Sequence, residues 1–138
     1  MVQRIQTVYL LAVTILQAVM LFSEQASVID GINEQSVALA QNWQWAILIS
    51  LTALLPVLTI FLFKKRRLQI RFSIINSLLL ITLQIIVVCT LLNISNANVT
   101  VTYSANDISP AISLILTILA MRFIVKDEMK IRAYNRIR

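Results

Sequence analysis

Leu58-Thr59-Ile60-Phe61-Leu62-Phe63-Lys64-Lys65-Arg66-Arg67-Leu68-Gln69-Ile70-Arg71-Phe72-Ser73-Ile74-Ile75 passes from apolar to strongly basic and back to apolar in one short stretch. On one side the apolar sequence reaches back to Gln44, and on the other it continues to Leu92. A helix rises ~1.5 Å per residue, so ~20 apolar residues cross a hydrocarbon core of ~30 Å. Both runs have that length. Lys and Arg resist translocation, so a basic turn between two spans reads as a cytoplasmic connection. The stretch therefore predicts a helical hairpin with its turn, residues 64–71, on the cytoplasmic side.

The rest of the chain follows the same pattern. Two further apolar runs, Ile5–Phe22 and Ile108–Val125, flank the hairpin. Arg4 precedes the first run. Arg122, Lys126, Lys130, Arg132, Arg136 and Arg138 lie at the end of the last one or beyond it. Together with Lys64, Lys65, Arg66, Arg67 and Arg71 these are all twelve basic residues. The gaps 23–43 and 93–107 hold Glu24, Asp30, Glu34 and Asp107 but no Lys or Arg. The reading is an all-α integral membrane protein, a four-transmembrane-helix bundle with both termini cytoplasmic. It is one domain over residues 1–138, with spans at 5–22, 44–63, 72–92 and 108–125 and a cytoplasmic helical tail at 126–138.

Composition supports the class. The chain is 59% hydrophobic, more than a soluble domain of 138 residues could bury. Its charge of +6 is placed by topology, so no nucleic-acid partner is expected. The first run reads as a retained span, because its core exceeds an ordinary signal-peptide segment and no cleavage site follows promptly. The fourth is uncharged only over Ile108–Met121, which is short for a span, with Arg122 snorkelling toward the headgroups to extend it. Ser109 and Pro110 suit its first turn.

No catalytic constellation is visible. The chain has no His, and its one Cys, Cys89, lies within the third apolar run. There is no phosphate-binding loop and no metal spacing, so neither an enzyme activity nor a cofactor is expected. No acidic residue falls inside an expected span, which argues against an ion-coupled carrier. Gln17 and Gln84 lie at similar depths, as do Thr59 and Asn76, and both pairs are expected to bond between helices. Pro56 is expected to kink the second span and free the Thr52 carbonyl. In the second outer gap, Val99, Val101 and Tyr103 alternate with polar residues. That pattern predicts a small β element, with Ser36–Ala40 as its partner. The triplets at Asn93 and Asn98 match the glycosylation sequon and matter only in a secretory compartment.

Three stretches carry a family resemblance. They are Gln3-Arg4-Ile5-Gln6-Thr7-Val8-Tyr9-Leu10, then Lys65-Arg66-Arg67-Leu68-Gln69-Ile70-Arg71, then Lys126-Asp127-Glu128 with Arg132 and Asn135-Arg136-Ile137-Arg138. The chain resembles the small four-span membrane proteins of Bacteroidota catalogued as domain-of-unknown-function family four-two-nine-three. The resemblance implies a bacterial inner-membrane protein and transfers no activity or functional residue.

The expected function is that of a structural or accessory interaction protein with a basic cytoplasmic face. Its candidate contacts to a protein partner or to anionic lipid headgroups are Arg4, Lys64, Lys65, Arg66, Arg67, Arg71, Lys126, Arg132 and Arg136. The alternatives are a small oligomeric carrier or channel, and an anionic-lipid-binding module. A hydrated polar interior would favour the carrier, and a dry one the structural protein.

Overall fold

A computed structural model describes residues 2–24, 26–30, 33–37, 41–62, 65–95 and 100–136. Four helices dominate it: α1 (Val2–Phe22), α2 (Trp43–Phe61), α3 (Arg66–Ser95) and α4 (Ser109–Arg136). Each is long and apolar enough to cross a membrane, so the chain is a multi-pass membrane protein. β-Branched residues are frequent in all four. A backbone surrounded by lipid has no water to bond, so it satisfies its amides within a helix regardless of that preference.

α1 and α2 have 21 and 19 residues, about the thickness of the hydrocarbon core. α3 and α4 have 30 and 28 residues and extend well beyond it. The segment expected as a loop over 64–71 is helical from Arg66 onward, and the expected tail continues α4 without a break. Arg and Lys are good helix formers, and no Gly or Pro stops either helix at the hydrocarbon boundary. The α2–α3 connection is therefore short. The chain runs through Pro56, which lies buried inside α2.

Each helix packs mainly on its two sequence neighbours, and α4 closes the ring against α1. This is the up-and-down four-helix arrangement, with α1 and α3 on one diagonal and α2 and α4 on the other. The buried positions show how the helices meet. Gln6, Leu10, Val13, Gln17 and Met20 line α1, and Gln69, Ser73, Asn76, Leu80, Leu83 and Val87 line α3. Ser113, Thr117, Ala120 and Ile124 line α4. Spacings alternate between four and three, the 3.5-residue period of a left-handed supercoil. Leu11, Ile15, Ile74, Leu78, Ile115 and Ile118 are among the large apolar side chains that face outward.

The two connections at the end remote from the basic residues carry a three-stranded antiparallel sheet, ordered β2–β1–β3. β1 is Ala26–Asp30, β2 is Asn33–Val37 and β3 is Thr100–Tyr103. The strand partner expected for the alternating stretch is corrected here. β3 pairs with β1, from Ala26 against Tyr103 to Ile29 against Thr100. Ser36 and Val37 belong to β2 on the far side of β1, and residues 38–40 lie outside the described part. Asp30 faces Asn33 across two intervening residues, the length of a tight hairpin. That local hairpin occupies one edge of β1 and leaves the other for β3. Beneath the sheet, Met20, Ile49, Leu83 and Val87 form an apolar plug, joined at its rim by Trp45, Leu48 and Leu91.

Candidate functional site

Polar side chains are as common as apolar ones among the buried described residues. They follow one seam along the bundle axis. At mid-depth, Gln17 on α1 links three helices. Its Nε2 donates to Ser113 Oγ on α4 at 2.9 Å, and its Oε1 accepts from Thr52 Oγ1 on α2 at 3.2 Å. The Thr52 hydroxyl has one proton, which it shares with the Ile49 carbonyl at 2.7 Å. Thr117 donates back to the Ser113 carbonyl at 2.8 Å. A back-bond of this kind lets a hydroxyl be buried with no partner on another helix.

Neither interhelical pair expected from depth alone is formed. Gln17 and Gln84 lie on diagonally opposed helices, so Gln17 bonds to α2 and α4 instead. Gln84 reaches the Asp107 carbonyl at 3.5 Å, the limit of a hydrogen bond. Thr59 and Asn76 are on adjacent helices but at different levels. Gln69 Nε2 donates to the Thr59 carbonyl at 3.0 Å, so Thr59 stands level with Gln69. Asn76 is seven residues further along α3, about 10 Å away along the axis. The Thr59 hydroxyl bonds to Leu55 in its own helix at 2.7 Å.

The Gln69 bond has a structural role of its own. The last carbonyls of a helix have no intrahelical donor, and Thr59 is in the last turn of α2. Gln69 supplies the missing donor from α3 and fixes the short turn between the two helices. Gln69→Met is expected to lower stability by about 1 kcal/mol, as read by thermal unfolding in detergent. An unchanged midpoint would mean that the carbonyl finds another donor.

Asn76 and Ser73 differ from the rest of the seam. Asn76 Nδ2 and Oδ1 and Ser73 Oγ are buried with no hydrogen-bond partner. The contacts Gln84–Asp107 and Arg67–Glu128 fix the register between α3 and α4. Counting inward from both places Asn76 level with Thr117, near the Gln17 layer. Asn76, Ser73, Thr52, Ser113 and Thr117 are each no more than 1% exposed, and Gln17 is fully enclosed. A side chain with no surface open to a water-sized sphere adjoins no water-sized void. The seam is closed and dry at mid-depth.

At the basic end, Asp127 and Glu128 diverge to opposite neighbours, as adjacent helix positions must. Asp127 Oδ2 accepts from Gln6 Nε2 on α1 at 3.1 Å. Glu128 Oε1 lies 3.7 Å from Arg67 Nε on α3. Above them, Tyr9 stacks on Phe123 with ring centroids 5.8 Å apart. These contacts hold α4 against both neighbours. Arg132, one turn further along α4, has its side chain outside the described part. Because Arg67 is 81% exposed, Arg67→Gln is expected to change stability by less than about 1 kcal/mol, even at low salt. A larger loss in a detergent melt would show that the pair is shielded from solvent.

The other basic candidates do not converge. Arg67 and Arg71 each lie two residues from buried Gln69, on the outer side of α3, from which Arg67 reaches Glu128. Lys126 lies two residues past buried Ile124, and Arg122 lies two residues past buried Ala120. Lys65, Lys126 and Arg122 are all exposed. The side chains of Arg4, Arg66, Arg132 and Arg136, and the whole of Lys64, are outside the described part. The described cations thus form an outward-facing fan around one end of the bundle, with no common pocket. Such side chains suit headgroups or the face of a partner.

Sequence reading missed the Gln17–Ser113–Thr52 network. Its signal was available: Gln6, Gln17, Gln69 and Asn76 recur at seam spacing in a chain poor in buried charge. Comparison with known proteins adds one finding. The family model described as Domain of unknown function (DUF4293) matches residues 2–137. No curated protein and no solved structure matches the chain.

Proposed function

We propose that this chain, which belongs to the family Domain of unknown function (DUF4293), is a non-enzymatic structural or accessory interaction protein of a bacterial inner membrane. Both termini are cytoplasmic, and the basic end is the face offered to a partner. The closed polar seam carries this reading. Within it Gln17, Ser113, Thr52 and Gln69 bond helix to helix, as polar residues do when they hold a membrane bundle together. A carrier would need the same groups to face water, and a channel would need a continuous wet path. The continuation of α3 and α4 past the hydrocarbon adds support, since two cross-braced helices make a firmer platform than a flexible loop. The outward fan of cations favours a broad partner surface or the bilayer over one enclosed lipid headgroup.

A photo-crosslinking amino acid at Lys126 or Lys130 tests the reading in native membranes. The expected result is a discrete protein adduct from both positions and none from lipid-facing Leu78. The adduct should weaken when Arg67 and Arg71 are changed to Glu. Adducts to lipid alone at all three positions would contradict the proposed partner surface.

A further inference from the structure

The inner face of α4 continues past the helices it packs on. Asp127 turns to Gln6 on α1 at 3.1 Å and Glu128 to Arg67 on α3 at 3.7 Å. The side of α4 between these two residues therefore faces the bundle axis. Ile131 lies four residues from Asp127, three from Glu128 and seven from buried Ile124, which places it on that inward side. It is nevertheless 44% exposed, and its level explains why. Ile131 stands about 6 Å beyond Asp127 along the axis. That is opposite Val2, where α1 begins, and past Arg66, where α3 begins. α4 runs on to Arg136, about 7 Å further. Among the described residues, its last turns thus wall one side of a notch. The ends of α1 and α3 and the α2–α3 turn form the floor.

Charge at this end is one-sided. All twelve Lys and Arg belong to it, against two of the six acidic residues, Asp127 and Glu128. Both of those are already engaged, with Gln6 and Arg67. Lys65, Arg67 and Lys130 are exposed around the notch, on the α2–α3 turn, on α3 and on α4. We propose that the notch seats an acidic segment of a protein partner, with an apolar side chain on Ile131 and carboxylates among Lys65, Arg67 and Lys130. Such a seat rests on the reading of the basic end as a partner face, and gives that partner its chemistry. Charge complementarity selects the acidic partner and steers it to this end. A wholly polar acidic chain would leave Ile131 wet, and its apolar surface gains only from an apolar cover. Anionic headgroups suit the outward cations, but Ile131 points over the end of the bundle, away from the bilayer around it.

The test uses the full chain in nanodiscs of zwitterionic lipid and two dye-labelled helical peptides. One peptide carries Leu along one face and Glu on the others, and the second has Gln for every Glu. Fluorescence anisotropy should show saturable binding of the Glu peptide, weakening at high salt, and none of the Gln peptide. Ile131→Ser should weaken that binding about tenfold. Met129→Ser should leave it unchanged, because Met129 is 59% exposed but lies on the outward side of the same turn. Each change removes one exposed apolar side chain and no charge, so the difference between them reports the notch. An environment-sensitive dye on Ile131→Cys, in a Cys89→Ser background, separates peptide from lipid. Its emission should shift to the blue when the Glu peptide is added, and not when phosphatidylglycerol replaces part of the zwitterionic lipid. No saturable binding, equal effects of Ile131→Ser and Met129→Ser, or a shift with phosphatidylglycerol alone would overturn the proposal. Protein adducts from Lys126 and Lys130 in native membranes, beside any of those results, would leave the partner face standing and remove only the notch.

Discussion

Gln17→Met lowers the thermal midpoint of the detergent-solubilised protein by several degrees, equivalent to about 2 kcal/mol. Met keeps the length and volume of Gln and removes only its polar atoms, so packing changes little. Two interhelical bonds are lost, each contributing roughly 0.6–1.7 kcal/mol in a membrane bundle. They join α1 to α2 and to α4, and both neighbours are buried. Ser113 and Thr52 can partly compensate through carbonyls of their own helices, which keeps the loss near 2 kcal/mol. Gln84→Leu provides the comparison. It gives up one bond at 3.5 Å, so less than about 0.5 kcal/mol is expected. Equal effects from the two variants would contradict the three-helix network.

Asn76→Leu has the opposite sign. Leu has the same heavy-atom skeleton as Asn, and neither polar atom of Asn76 has a partner. An unsatisfied buried polar group costs about 1–3 kcal/mol, so removing it is expected to stabilise the bundle by an amount in that range. Part of this gain is offset where the larger methyl groups press on neighbouring helices. The check is the midpoint of unfolding against a graded denaturing detergent. A loss exceeding about 1 kcal/mol would mean that Asn76 has a polar partner, such as water or a solute, and would weaken the structural reading. The two variants therefore separate polar residues that bond the helices from one that does not.

Class was legible in the sequence because the transfer of apolar and charged groups between water and lipid is local. Leu58–Ile75 alone shows two apolar runs around a basic turn, whatever the helices pack against. The helical pairings were not legible in the same way. Whether Gln17 meets Gln84 or Ser113 depends on which helices are diagonal, and depth does not report that. Whether Thr59 meets Asn76 depends on register, which Gln69 sets from a position outside the expected polar set. The seam period was also hidden. In water the buried stripe is the apolar one, but lipid accepts apolar side chains as readily as a core does. Here Leu11, Ile15 and Leu78 face outward while Gln17, Asn76 and Ser113 face inward, so the seam shows as polarity. The sheet was half legible. The alternation at Val99–Tyr103 marks a strand, while its pairing with β1 instead of Ser36–Val37 is a long-range choice that the local pattern does not report.

The closed seam is the central claim, and thiol accessibility tests it most directly. Cys89 faces outward from the bundle and is first replaced by Ser, so that only the introduced thiols report. Ser73→Cys and Ser113→Cys are then made singly, with Lys65→Cys as an exposed reference. A small membrane-impermeant thiol reagent is applied to native membranes, both sealed and opened. Labelling at Lys65→Cys alone is the predicted result. Labelling at Ser73→Cys or Ser113→Cys at a rate comparable with the reference would place water inside the bundle and contradict the account.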